Sequence, residues 1–112
     1  MNRFILEMGM GNSLHRGDYQ QAAERAIDDA LRHSTIPMLK SLGIPHAEMQ
    51  VKVTVGVAEP DKIDTKALEK RLPRGTARVS AVKGGHNVVN EAIGETNIIA
   101  TAAVEAFLPK QV

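Results

Sequence analysis

Met49, Val51, Val53, Val55 and Val57 alternate with Gln50, Lys52, Thr54, Gly56 and Ala58, and this run constrains the fold more than any other. Successive side chains of a strand point to opposite faces, so a period of two gives one wholly apolar face and one polar or small face. Such a strand is half buried. Its valine face needs a helix layer over it. Its other face must meet solvent, a cavity or another subunit.

The remaining pattern supplies that layer. Phe4, Leu6 and Met8 alternate with Ile5 and Glu7, which predicts a largely buried strand ending at Gly9. Asp18 is a good N-cap, and Gln21 three residues later completes a capping-box pattern. Ala22, Ala23, Ala26, Ile27, Ala30, Leu31, Met38 and Leu42 then share one helical stripe, with Glu24, Arg25, Asp28, Asp29 and Arg32 on the other side. The ring of Pro37 would clash with the carbonyl of His33, so a kink is expected near Ser34 and Thr35. Gly43, with Pro45 beyond it, closes this long helix. Asp64 caps a short helix through Ala67, Leu68 and Leu72, stopped by Pro73.

Ala77, Val79 and Ala81 alternate with Arg78, Ser80 and Val82 in a third strand. Residues 84–96 read as a loop with a short helical turn at Val88 to Ile93. Asn97 to Leu108 is ambiguous. Its alanines favour a helix. Its position beside three strands, and the alternation of Ile98, Ala100, Ala102, Val104 and Ala106, favour a strand, which is the reading taken. The sum is a single α+β domain over residues 1–112. It is a two-layer sandwich, with one mixed sheet and a long and a short helix on one face. The uncovered second face predicts a homo-oligomer.

Composition removes several classes. The 112 residues carry a net charge of +1, with both signs interspersed, and contain one Tyr, two Phe and no Trp. No basic face and almost no stacking aromatics means no nucleic-acid partner is expected. The absence of cysteine removes disulfides, thiolate nucleophiles and zinc–thiolate sites. No apolar run approaches the roughly 20 residues that cross a bilayer. Phe4-Ile5-Leu6 is too short for a signal peptide. A cytoplasmic protein without a membrane partner is expected.

Glu7-Met8-Gly9-Met10-Gly11-Asn12-Ser13-Leu14-His15-Arg16-Gly17-Asp18 lies between the first strand and the long helix. A glycine-rich loop there lets backbone approach a ligand, and a helix start offers free N–H groups to an anion. On this reading Gly9, Gly11, Ser13 and Arg16 bind a ligand, His15 acts as general acid or base, and Glu7 orients a donor or serves as base. The rival reading is a tight turn with Asp18 as cap. The dinucleotide fingerprint is absent, because Leu14 stands where its third glycine belongs.

Lys83-Gly84-Gly85-His86-Asn87, with Asn90 and Glu91, is the second candidate loop. Lys83 would hold an anion and His86 or Glu91 would serve as acid or base; alternatively the segment only turns the chain. The two loops could form one cleft if the strands carrying Glu7 and Lys83 lay side by side. His15, His86, Glu7 and Asp18 have no local metal-ligand spacing, so no metal site is assigned and no cofactor is named. His33 and His46 read as structural, and the methionines as core filler.

The Gly9–Arg16 stretch resembles the N-terminal GxGxDxHG signature of a Lin-type family of conserved hypothetical proteins. Gly9, Gly11 and His15 match; Ser13 stands for the aspartate and Arg16 for the last glycine. The order of elements, and the passage Ala47 to Val55, is similar to trimeric chorismate-mutase-like and reactive-intermediate-deaminase-like folds. That similarity implies a trimer with clefts between subunits. The function expected is binding of a small polar or anionic metabolite at the glycine stretch. A lyase, isomerase or cyclic-amide hydrolase would suit these residues equally, and a non-catalytic regulatory or structural module is the alternative.

Overall fold

Five strands form one mixed sheet in the computed structural model, which describes residues 2–14, 17–32, 49–72 and 76–108. In chain order the elements are β1 (Asn2–Ser13), α1 (Tyr19–Arg32), β2 (Gln50–Val57), a 3-10 turn (Pro60–Lys62), α2 (Thr65–Glu69), β3 (Thr76–Lys83), β4 (His86–Asn90) and β5 (Glu95–Leu108). The strand order is β1-β5-β2-β3, and β4 pairs with β5 beyond the end of β2. Only β2 and β3 run parallel; the other pairings are antiparallel. The expected two-layer α+β arrangement is present. The expected helix kink, Gly43 cap, His33 and His46 lie outside the described residues.

The valine face of β2 behaves as its alternation requires. Val51, Val53, Val55 and Val57 are buried with Ala100, Ala102, Val104 and Ala106 of β5. Long, alanine-rich β5 is a strand because it occupies the centre of the sheet. It is paired on both edges, and those ladders outweigh a helix preference of a few tenths of a kcal/mol per residue.

The first strand does not end at Gly9. It continues to Ser13, so Gly9 and Gly11 lie inside β1 rather than in a loop. They share the face turned to α1, where Ala22, Ala26 and Ala30 form a stripe of fully buried small side chains. A Cβ on Gly9 would stand 2.3 Å from the Ala30 nitrogen; one on Gly11 would stand 2.3 Å from that of Ala26. Two strand residues advance about 6.8 Å and four helix residues about 6 Å, so glycines at i, i+2 stay in step with alanines at i, i+4. The glycines let helix backbone rest directly on strand backbone.

Residues 84–96 are not a loop with a helical turn. β3 flanks β2, and the chain then crosses the end of β2 to pair with β5 as β4. Gly84 makes the crossing, donating its N–H to the Val57 carbonyl at 2.9 Å. Gly85 has φ +64°, and a Cβ there would lie 2.2 Å from the Ile99 carbonyl oxygen. Residues 91–94 form the hairpin turn to β5, with Gly94 at φ +68°.

The sheet's other face departs from expectation. Leu6, Met8 and Met10 are exposed on it, Met8 at 70%. Met49 is core, but Met8 and Met10 are not filler. β1 is therefore buried on one face only.

Candidate functional site

The polar chemistry collects where β1 ends, α1 begins and β4 starts. Ile98 of β5 pairs with Ser13 on one side and Asn87 on the other. Two strand spacings, about 10 Å, therefore separate Ser13 and Asn87 on the helix-side face. The N-terminus of α1 sits over this gap.

The turn into α1 is fixed by short polar contacts. The Asp18 carboxylate accepts the Gln21 N–H at 3.0 Å, the expected N-cap. Ser13 is fully buried; its hydroxyl accepts the Asp18 N–H and donates to the Gln21 side-chain oxygen, both at 3.3 Å. Gln21 thus turns to Ser13 rather than closing a capping box. Gln20 clamps Asp64, accepting its N–H at 2.8 Å and donating to its carbonyl at 3.1 Å. That clamp ties the start of α1 to the cap of α2, where Asp64 accepts the Ala67 N–H.

Tyr19 is the hub. Its hydroxyl donates to Glu59, and this hydrogen bond, followed by those from Lys62, holds the Glu59 carboxyl below its ordinary value of 4.5. Asn87 Nδ2 donates to the Tyr19 hydroxyl oxygen at 2.8 Å. Among the described residues, the buried Oδ1 of Asn87 has no partner. Lys62 Nζ lies 3.3 Å from Glu59 and 5.5 Å from the centre of the Tyr19 ring. Gly17, Asp18, Tyr19, Gln20 and Lys62 line a shallow depression of about 370 Å³ beside this chain of groups.

The residues expected from the sequence are distributed unevenly around this point. Gly9 and Gly11 are helix-packing positions. Ser13 is at the site, but both of its hydroxyl contacts serve the turn. His15 and Arg16 lie outside the described residues. Glu7 precedes Ser13 by six strand residues, about 20 Å, which takes it away from the cleft. The strands of Glu7 and Lys83 are opposite edges of the sheet, not neighbours. The crossover at Gly84 and Gly85 nevertheless brings β4 to this end. Lys83 is exposed at the close of β3, beside Val57.

His86 pairs with Ile99 and faces the open side of the sheet, while Asn87 faces Tyr19. The sequence reading includes Asn87 in the candidate loop but gives the role there to its neighbour His86 or to Glu91. Tyr19, Glu59 and Lys62 were not singled out by the sequence at all. The available signal was a lone tyrosine directly after an N-cap in a chain nearly free of aromatics. Among the described residues, no three His, Asp or Glu side chains converge as metal ligands.

A larger cleft of about 800 Å³ lies at the opposite end of β2 and β3, lined by Lys52, Lys66, Glu69, Arg78 and Phe107 among others. Its carboxylate is structural. Glu69 accepts the Val79 N–H at 3.0 Å, and this contact holds its carboxyl below 4.5. The smaller depression has the unmet hydrogen-bonding group beside it and is the better candidate.

A family model described as a conserved hypothetical protein, Lin0512_fam, matches residues 3–106. Among solved structures, the chain is similar to an FtsZ-like protein of unknown function from Nostoc punctiforme. The two are 29% identical, each is 97% covered, and the TM-score is 0.83. No curated protein matches.

Proposed function

For a chain that belongs to the Lin0512 family of conserved hypothetical proteins, we propose that the depression at the start of α1 binds a small polar molecule. One observation carries this reading: among the described residues, Asn87 Oδ1 is buried and has no partner beside Tyr19, which lines the depression. A buried polar atom without a partner costs about 1–3 kcal/mol, and a ligand N–H or O–H that reaches it removes that cost. The ligand therefore carries a donor for Asn87. Glu59 and Lys62, already paired with each other, present one charge of each sign at the rim. That balance suits a neutral or zwitterionic molecule better than the strongly anionic one that Arg16 and Lys83 suggested.

The site binds rather than cradles. Gly9 and Gly11 are used in packing and Gly84 and Gly85 in the crossing, so these four supply no backbone nest for an oxyanion. The hydrogen bond from Tyr19 holds the Glu59 carboxyl below its ordinary value, and a carboxylate at that place suits recognition.

A thermal-shift screen of amides, polyols, hydroxy acids and amino acids against wild type, Asn87→Ala and Tyr19→Phe tests the reading. A ligand at 100 times its dissociation constant adds about 2.7 kcal/mol to wild type. The stabilisation should disappear in Asn87→Ala and shrink in Tyr19→Phe. Equal stabilisation of wild type and Asn87→Ala by every active compound, or none at all, would remove the proposal.

A further inference from the structure

The face of the sheet that bears no helix among the described residues carries charge in one row and none in the two rows next to it. Leu6, Glu105, Lys52 and Arg78 form one row across β1, β5, β2 and β3. The next row is Met8, Ala103, Thr54 and Ser80, and the one after it is Met10, Thr101, Gly56 and Val82. Neither contains a charge, in a chain where 24% of residues are charged. Met8 and Met10 are 70% and 62% exposed, and Leu6, Val82 and Val88 on the same face are also exposed. A face kept for water has no reason to exclude charge or to present methionine. An uncharged, methionine-bearing patch bordered by a charged row has the composition of the core of a protein–protein contact with part of its rim.

We infer that this face is the surface through which copies of this chain associate. Its size fits. Four strands about 4.8 Å apart, over roughly ten residues of β5, present about 600–700 Å² in plane, the scale of the 800 Å² each partner buries in a standard interface. Its rim carries both signs, because the row beside the apolar centre holds Glu105, paired with Arg3 at 3.4 Å, together with Lys52 and Arg78. A second copy therefore brings both signs to the same contact.

The sheet edges favour this route over strand addition. On β1, Asp29 accepts the Met10 N–H at 2.9 Å and Arg25 donates to the Asn12 carbonyl at 2.8 Å. On β3, Glu69 accepts the Val79 N–H. Groups that a neighbouring strand would use are already taken on both edges. Association thus proceeds face on.

Light scattering during size exclusion tests the inference, with Met8→Glu, Met10→Glu and Val89→Glu as variants. Each site is exposed, so each variant keeps its fold, which circular dichroism checks. Val89 is comparably exposed at 59% but follows Asn87 by two residues and shares its helix-side face, away from the proposed contact. Wild type should run at a whole multiple of 12.1 kDa. Met8→Glu and Met10→Glu should fall to 12.1 kDa, and Val89→Glu should match wild type. A wild type that stays at 12.1 kDa at near-millimolar concentration would overturn the inference. So would methionine variants that keep the wild-type mass, or dissociation by Val89→Glu alone.

Discussion

Gly9 and Gly11 differ from Gly84 and Gly85 in what their missing side chains permit. In the first pair the backbone is ordinary strand, and the space a Cβ would need is filled by α1. In the second pair the chain crosses the end of a strand, and Gly85 also takes a left-handed conformation. One pair sets how closely two layers pack. The other sets which strand comes next in the sheet. Both look alike in sequence, as short glycine-rich stretches beside a histidine. A glycine is informative about function only once its neighbours in space are known.

Substitutions can break or sharpen this contrast. The largest effect is expected at Gly11→Ala, whose new Cβ would meet the Ala26 nitrogen at 2.3 Å and the Ala22 carbonyl oxygen at 2.5 Å. Both obstacles are backbone in a rigid seam, so α1 must shift as a body. A loss of about 3 kcal/mol, the upper end for overpacking, should appear in urea unfolding. A loss below about 1 kcal/mol would show that the seam is not close packed.

Gly85→Ala should cost less, about 2 kcal/mol, from positive φ and the Ile99 carbonyl together. The crossover is partly exposed and can relax where the seam cannot. If Gly85→Ala proved worse than Gly11→Ala, the ranking of the two pairs would reverse. Gly17→Ala provides the calibration, with φ +57° and nothing within 4 Å among the described residues. It should cost about 1 kcal/mol, the conformational penalty alone.

The smallest effect concerns pH. The Val79 N–H holds the Glu69 carboxyl below 4.5 in the folded protein. A carboxyl depressed on folding stabilises above its unfolded value, and that contribution is lost as pH falls through the folded value. Glu69→Gln should therefore lower the melting temperature slightly at neutral pH and flatten its decline below pH 4.5. Parallel curves for the two proteins would show that this contact does not respond to acid.

Much of the fold was legible because it rests on periodicity. The alternation of β2 and β3 and the stripe of α1 each specify a buried face locally. The hairpin of β4 and β5 was missed because Val88 and Val89 are both exposed, so no single-face alternation marks the strand. The candidate site was legible in location only. Its end of the sheet follows from where β1 gives way to α1. Its groups do not, because Tyr19, Glu59 and Asn87 come from three separate elements and meet only through the crossover. The choice between His86 and Asn87 turned on pairing register, and a shift of one residue exchanges the faces.

By itself the sequence determined the type of α1, β2 and β3 and which face of each seeks the core. Burial of apolar side chains is a local demand, written in the spacing of alanines and valines. Only the tertiary structure decided the use of the glycines, the identity of the polar cluster and the exposure of Met8 and Met10. Those depend on which backbone lies opposite, and contacts across the sheet are set by chain crossings that no local spacing encodes.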